Sequence, residues 1–115
     1  MKPRLNYLEL TSPDLARSRQ FYAAAFGWEF MDFGPDYSAT TTDDTDVGLT
    51  QEQDPESAPL LPVIEVQGLE AVCNAVVAQG GVIVKPIFAF PGGRRFHFRD
   101  PAGHVIGVWE RAGDE

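Results

Sequence analysis

Between Tyr7 and Thr11 the chain alternates, with Leu8 and Leu10 set between Tyr7, Glu9 and Thr11, which is the period of a half-buried strand. Ser12 then offers an N-cap with Pro13 at the first helical position. Leu15, Tyr22, Ala25 and Phe26 recur near one helical face before Gly27 supplies the stop. "WEFMDF", "YSATTT" and "DVGLTQ" follow as short strands, separated by Gly-Pro-Asp and Asp-Asp-Thr-Asp turns. Past the charged, breaker-rich "QEQDPESAP", from Gln51 to Pro59, the order begins again. "PVIEV" is a strand, and "GLEAVCNAVVAQ" is a helix with Leu69, Val72, Cys73 and Val76 inward and Gly80-Gly81 as its stop. "VIVKPI", "RRFHFR" and "HVIGVWE" complete the set as strands, the last pair joined by a turn on Asp100-Pro101-Ala102-Gly103.

The second half is a copy of the first. Laying Asp14 on Gly68 also lays Leu10 on Ile64 and Gly27 on Gly81. The pattern predicts two tandem βαβββ modules, about 4–51 and about 60–111, with a linker about 52–59, all within one domain spanning 1–115. One helix on a four-stranded sheet leaves a face uncovered, so each module needs the other. The expected fold is therefore α+β, a cupped mixed sheet with helices outside.

Charge narrows the partners. A net charge of −8 argues against nucleic acid or an anionic membrane surface, both of which call for clustered Lys and Arg. Cys73 is the only cysteine, which rules out an internal disulfide and a thiolate cluster for zinc. "MKPRLNYLEL" has no apolar core of a signal peptide, and no apolar run approaches a membrane span, so a cytoplasmic address is expected.

"NYLELTSPDLARSRQFYAAAFGW" and "RRFHFRDPAGHVIGVWE" resemble the two ends of a vicinal-oxygen-chelate protein, the glyoxalase, bleomycin-resistance and ring-cleaving dioxygenase superfamily. "LPVIEVQGLEAVCNAVVAQGG" and "PIFAFPGGRRFHFRDPAG" are similar to its subgroup of predicted enzymes related to lactoylglutathione lyase. The resemblance covers essentially the whole chain. It implies the glyoxalase/bleomycin resistance/dihydroxybiphenyl dioxygenase fold, and dimers or two-module chains. In the better-known enzymes it also implies a divalent metal held by His and Glu near the start and end of each module.

Carried over position by position, the resemblance assigns those ligand places to Tyr7, Gly48, Leu61 and Gly107. Leucine and glycine bring no donor atom and a phenol is an uncommon ligand, so no metal cofactor is expected. Paired glycines at matched places clear the inner wall, either for a ligand or for close approach of the modules. The alternative is a non-standard composite site from Glu9, Glu65 and His97; Glu110 and His104 are the remaining donors considered.

Alternation sends Tyr7, Glu9, Thr11, Gly48, Thr50, Leu61, Val63, Glu65, Val105, Gly107 and Trp109 to one face, an apolar and aromatic lining with a few polar handles. Tyr7 and Trp109 either stack on a flat ligand or pack as core. Glu9 and Glu65, if buried, pair with Arg94, Arg95 or Arg99 or else act as a general base. His97 is either a satisfied strand histidine or a base, and His104 is expected to be exposed. In "FAFPGGRRF" no helix follows the glycines, so the geometry of a phosphate cradle is missing. Phe88 and Phe90 there close over the cavity mouth or pack on a second chain.

The expectation is thus a metal-free protein binding a small hydrophobic or aromatic molecule, paired as a homodimer through exposed sheet edges. The alternative is an enzyme of lyase, isomerase or dioxygenase type. It would use Glu9, Glu65, Tyr7 or His97 for metal-independent acid–base chemistry, or a non-standard metal site.

Overall fold

The computed structural model describes residues 2–52 and 58–113, so most of the expected linker lies outside the described residues. The chain forms two compact units, residues 6–61 and residues 62–115 together with 1–5.

The first repeat contains β1 (Arg4–Thr11), α1 (Leu15–Phe26), β2 (Phe30–Asp32), β3 (Tyr37–Thr40) and β4 (Asp46–Thr50). Its strands run in the order β2-β3-β4-β1, with β1 and β4 parallel and the other pairs antiparallel. The second repeat contains β5 (Leu60–Glu65), α2 (Leu69–Ala78), β6 (Val82–Phe90), β7 (Gly93–Arg99) and β8 (Val105–Arg111). Its order, β5-β8-β7-β6 with β5 and β8 parallel, is the same topology again. Among the described residues, no helix is long and apolar enough to cross a membrane.

α1 begins later than its Ser12-Pro13 signal suggests. Asp14 is the N-cap, accepting from the Arg17 N–H at 3.1 Å, while Ser12 Oγ binds the Asp14 N–H and the Ser18 hydroxyl. Gly27 ends the helix in the left-handed region at φ 71°, as expected of a glycine stop. Leu15 is buried, whereas Phe26 is 61% exposed and belongs to an aromatic group with Tyr22 and Trp28, and Trp28 in turn meets Phe30 of β2.

α2 packs as its pattern dictates. Leu69, Val66, Phe96 and Val108 form a buried cluster against which Val72, Cys73, Val76, Ile64 and Phe98 lie. Burying such side chains contributes about 1.5–3 kcal/mol each. α2 has no cap of its own, and Gly68 starts it at φ 72°. The cap comes from β8, where Glu110 Oε1 accepts the Gly68 and Leu69 N–H groups at 3.0 and 3.3 Å. Arg94 holds Glu110 at 2.8 Å and Glu70 at 2.6 and 3.0 Å. β6 slips register on both sides of Lys85, next to Pro86, which has no N–H for the ladder.

Candidate functional site

Each repeat turns one sheet face to its helix and leaves the other to polar and aromatic side chains. On the first repeat, Glu9 stands opposite Gly48, Thr11 opposite Thr50, and Tyr37 opposite Thr50 on the other side. The Tyr37 hydroxyl donates to Glu9 Oε2 at 2.9 Å and lies 2.5 Å from the Tyr7 hydroxyl. A phenol has one proton, and Tyr37 gives its proton to the carboxylate, so Tyr7 is the donor to Tyr37. The result is a directed chain from Tyr7 through Tyr37 to Glu9. Burial, then the negative charge of Glu9 and the Tyr7 phenol, pushes the Tyr37 hydroxyl far above the usual phenol range, so it stays protonated.

Gly48 is what admits this chain. A Cβ there would lie under 3.0 Å from both phenol oxygens. Thr50 Oγ1 accepts the Glu52 N–H at 3.1 Å, and Thr11 N–H bonds to the Pro59 carbonyl. These threonines thus help to finish the strand ends. Tyr37 was invisible as a site residue from sequence. The available signal was Gly48 itself, since a strand glycine exposes backbone that a diagonal aromatic neighbour tends to cover.

The second repeat is different. Across β5, β8, β7 and β6 one row reads Glu65, Trp109, Arg95 and Phe88, and the next inward reads Val63, Gly107, His97 and Lys85. Glu65 is 2% exposed, and its Oε2 lies 3.3 Å from Arg111 Nε. Arg111 is thus a cation beside Glu65 that the sequence did not single out. Arg94 lies on the helix side with Glu70 and Glu110, and Arg95 turns to His97. Arg95 Nε donates to His97 Nε2 at 3.1 Å, which puts the imidazole proton on Nδ1 and takes up the lone pair a base would use. His97 is 2% exposed, so of its two readings the geometry matches the satisfied strand histidine.

Cations sit over rings throughout this face. Lys85 Nζ is 4.6 Å from the Phe88 centroid, and the Arg95 guanidinium carbon is 5.8 Å from Phe88 and 5.7 Å from Phe90. The Arg111 guanidinium carbon is 5.1 Å from the Trp109 ring, and Phe90 lies 6.3 Å from Trp109. The Trp109 indole N–H is buried with no hydrogen-bond partner. Lys85, Phe88, Phe90 and Arg111 were not foreseen as one group. The register shift between Lys85 and Phe88 brings the two to the same face although they are an odd number of residues apart, which simple alternation does not anticipate.

Gly107 has room that Gly48 lacks. A Cβ there would meet His97 Cδ2 and the Val63 methyls at 3.4 Å, an ordinary contact. Leu61 and Val63 are both 1% exposed. His104 is exposed as expected, its Nδ1 3.0 Å from Asp100, whose carboxyl is held below its ordinary value by the His104 and Ala102 N–H groups of the turn.

The residues at the places the resemblance gives to metal ligands do not suit a divalent ion. Gly48 and Gly107 have no donor, Leu61 is apolar, and the Tyr7 phenol is engaged by Tyr37. Among the described residues, no group of three or more His, Cys, Asp or Glu side chains gathers that could hold a metal ion.

The sequence profile of the Glyoxalase/Bleomycin resistance protein/Dioxygenase superfamily matches residues 4–108. The protein CFP32 of Mycobacterium bovis, provisionally named a glyoxylase, is 28% identical over 91% of this chain and 44% of its own length. The anthracycline biosynthesis protein DnrV of Streptomyces peucetius is 29% identical over 91% of this chain and 46% of its own. The chain thus spans about half the length of the curated relatives it matches. Among solved structures, methylmalonyl-CoA epimerase from Mycobacterium tuberculosis superposes with a TM-score of 0.73 at 16% identity, covering 95% of this chain and 88% of that one. That likeness is one of fold.

Proposed function

The chain belongs to the Glyoxalase/Bleomycin resistance protein/Dioxygenase superfamily, and from that premise we propose that it binds a small, flat, largely apolar molecule without a metal ion. The observation that supports this reading is the β6–β7–β8 face, where Phe88, Phe90 and Trp109 stand together and the buried indole N–H lacks an acceptor. An unsatisfied buried donor costs about 1–3 kcal/mol, and a ligand oxygen would remove that cost. Aromatic stacking adds about 0.5–1.5 kcal/mol beyond burial. The test uses a Trp28→Phe variant, which leaves Trp109 as the only tryptophan, titrated with 2-naphthamide. Saturable quenching of Trp109, unchanged by EDTA, is expected. Absence of saturable quenching, or quenching that needs an added divalent ion, overturns the proposal.

A second reading rests on the Tyr7–Tyr37–Glu9 chain. A carboxylate at the end of two aligned phenols is a proton acceptor fed from Tyr7, which suits metal-independent acid–base work on an enolisable carbonyl compound. It predicts exchange of the methyl protons of pyruvate for solvent deuterium, seen by proton NMR and lost in Glu9→Gln. No exchange above the buffer rate defeats it. The proposal also includes self-association through β2 and β6, each paired on one side only, and a monomeric mass by light scattering overturns that part.

A further inference from the structure

We infer that the exposed aromatic face of α1 seats a second copy of this chain, whose own α1 packs antiparallel across the first. This surface is distinct from the β6–β7–β8 face and from the β2 and β6 edges, and the inference stands apart from both. From Phe21 to Trp28 the chain reads FYAAAFGW, a stretch without a charge. A helix that is apolar on all sides is one that is covered. Yet Phe21 and Phe26 are 60% and 61% exposed, Trp28 is 37% exposed, and Ala23, Ala24 and Ala25 are exposed with them. The rings form one group. Tyr22 lies 5.1 Å from Phe21 and 5.4 Å from Trp28, which is itself 5.4 Å from Phe26.

Shape fits a copy of the same helix. Arg17, Phe21, Ala24 and Ala25 recur at i, i+4, i+7 and i+8, so one outward stripe sets a large ring beside two methyl-sized side chains. Across a two-fold axis near the middle of this stripe, Phe21 of each copy meets Ala24 and Ala25 of the other, the self-complementarity that an isologous contact needs. Alanines at the crossing let the two helices approach closely. Charge agrees with the same direction. Of the two cations on α1, Arg19 is tied to Asp32 of β2, whereas Arg17 is exposed on the outward stripe. Glu29 is exposed just past the opposite end. The antiparallel arrangement that seats Phe21 on the alanines also sets Arg17 of each copy beside Glu29 of the other, and a parallel one would set like charges together. Area sets the strength. Three rings exposed to this degree leave on the order of 300 Å² of aromatic surface in water. That is the apolar core, not the whole, of the roughly 800 Å² per partner in a standard interface, so a micromolar dimer is expected rather than an obligate one.

The test is sedimentation velocity on the full chain from roughly 1 to 500 µM, where a reversible monomer–dimer equilibrium is expected. Ala24→Glu puts a charge into the middle of the contact at an exposed position where glutamate is a good helix former. It should weaken association at least about tenfold with the circular dichroism unchanged. Phe21→Gln is the second variant should that one fail to fold, and it acts in the same direction. Arg17→Glu and Glu29→Arg should each weaken association about three- to tenfold by opposing like charges, and the two together should restore the parent value. Val77→Gln, at an exposed apolar position of α2, should leave association unchanged. A monomeric mass across the whole range overturns the inference. So does a dimer that Ala24→Glu and Phe21→Gln leave intact, which would run through the sheet edges instead. Weakening by both single charge variants without recovery in the double overturns the antiparallel arrangement.

Discussion

Gly48 and Gly107 occupy matched places at the centres of β4 and β8, yet a methyl group would meet different surroundings at each. At Gly48 it would run into the Tyr7 and Tyr37 hydroxyls, so Gly48→Ala must push at least one phenol aside and break the chain to Glu9. Overpacking of that kind costs about 1–3 kcal/mol. At Gly107 the methyl would rest on Val63 and His97 at contact distance while removing the backbone entropy of a strand glycine. Gly107→Ala should therefore be neutral or stabilising by up to about 1 kcal/mol. Urea denaturation of both variants checks the contrast, and equal destabilisation would show that the phenol pair does not need the Gly48 gap. Tyr37→Phe isolates the hydroxyl. It removes the two hydrogen bonds that the Tyr37 hydroxyl makes with Tyr7 and Glu9 at once, for an expected loss of about 1–3 kcal/mol by the same measurement.

Among the elements, α2 depends on a residue that is distant in sequence. Glu110 on β8 accepts two N–H groups from its first turn, and Arg94 on β7 fastens both Glu110 and Glu70 to that end. Glu110→Ala should cost about 1 kcal/mol, the usual value of a lost cap. The pH dependence has a definite sign. Arg94 beside them holds the Glu70 carboxyl down to about 2 and Glu110 below its ordinary value of 4.5. Depressed carboxyls add stability that is present above about pH 4.5 and is lost as pH falls through their folded values. Thermal melts of Arg94→Gln should be flatter between pH 5 and about 2 than those of the parent, and parallel curves would count against the clamp. This contact also marks where sequence patterning ends. Strand and helix order, the Gly27 stop and the inward face of α2 follow from local periodicity and glycine chemistry. The Glu110 cap and the Glu65–Arg111 pair are set by strand register, which periodicity leaves open. The aromatic group of Tyr22, Phe26 and Trp28 was open for a related reason: helical spacing identifies an apolar stripe without saying which rings it meets.

Across the whole molecule the backbone repeats and the chemistry does not. Both repeats run strand, helix and three strands with the first strand parallel to the last, so the internal copy was legible from matched leucines and glycines. One repeat uses its polar face for neutral phenols leading to a carboxylate, and the other collects cations over rings. Side chains on a polar face are constrained by their ligand rather than by the fold, so the same scaffold leaves them free to diverge. Divergence at Tyr7, Gly48, Leu61 and Gly107 bears directly on metal dependence. A resident ion at about a hundred times its Kd would add about 2.7 kcal/mol. For a domain of this size that is a rise in Tm on the order of 10 °C or more. With donors replaced by glycine and leucine, the parent should melt at the same temperature, within about 1 °C, in EDTA and in excess Ni, Zn, Mn or Fe(II). A saturable rise with one of these ions, abolished by Glu9→Gln or Glu65→Gln, would show that carboxylates off the expected register hold a metal. It would also return acid–base and metal chemistry to the same residues.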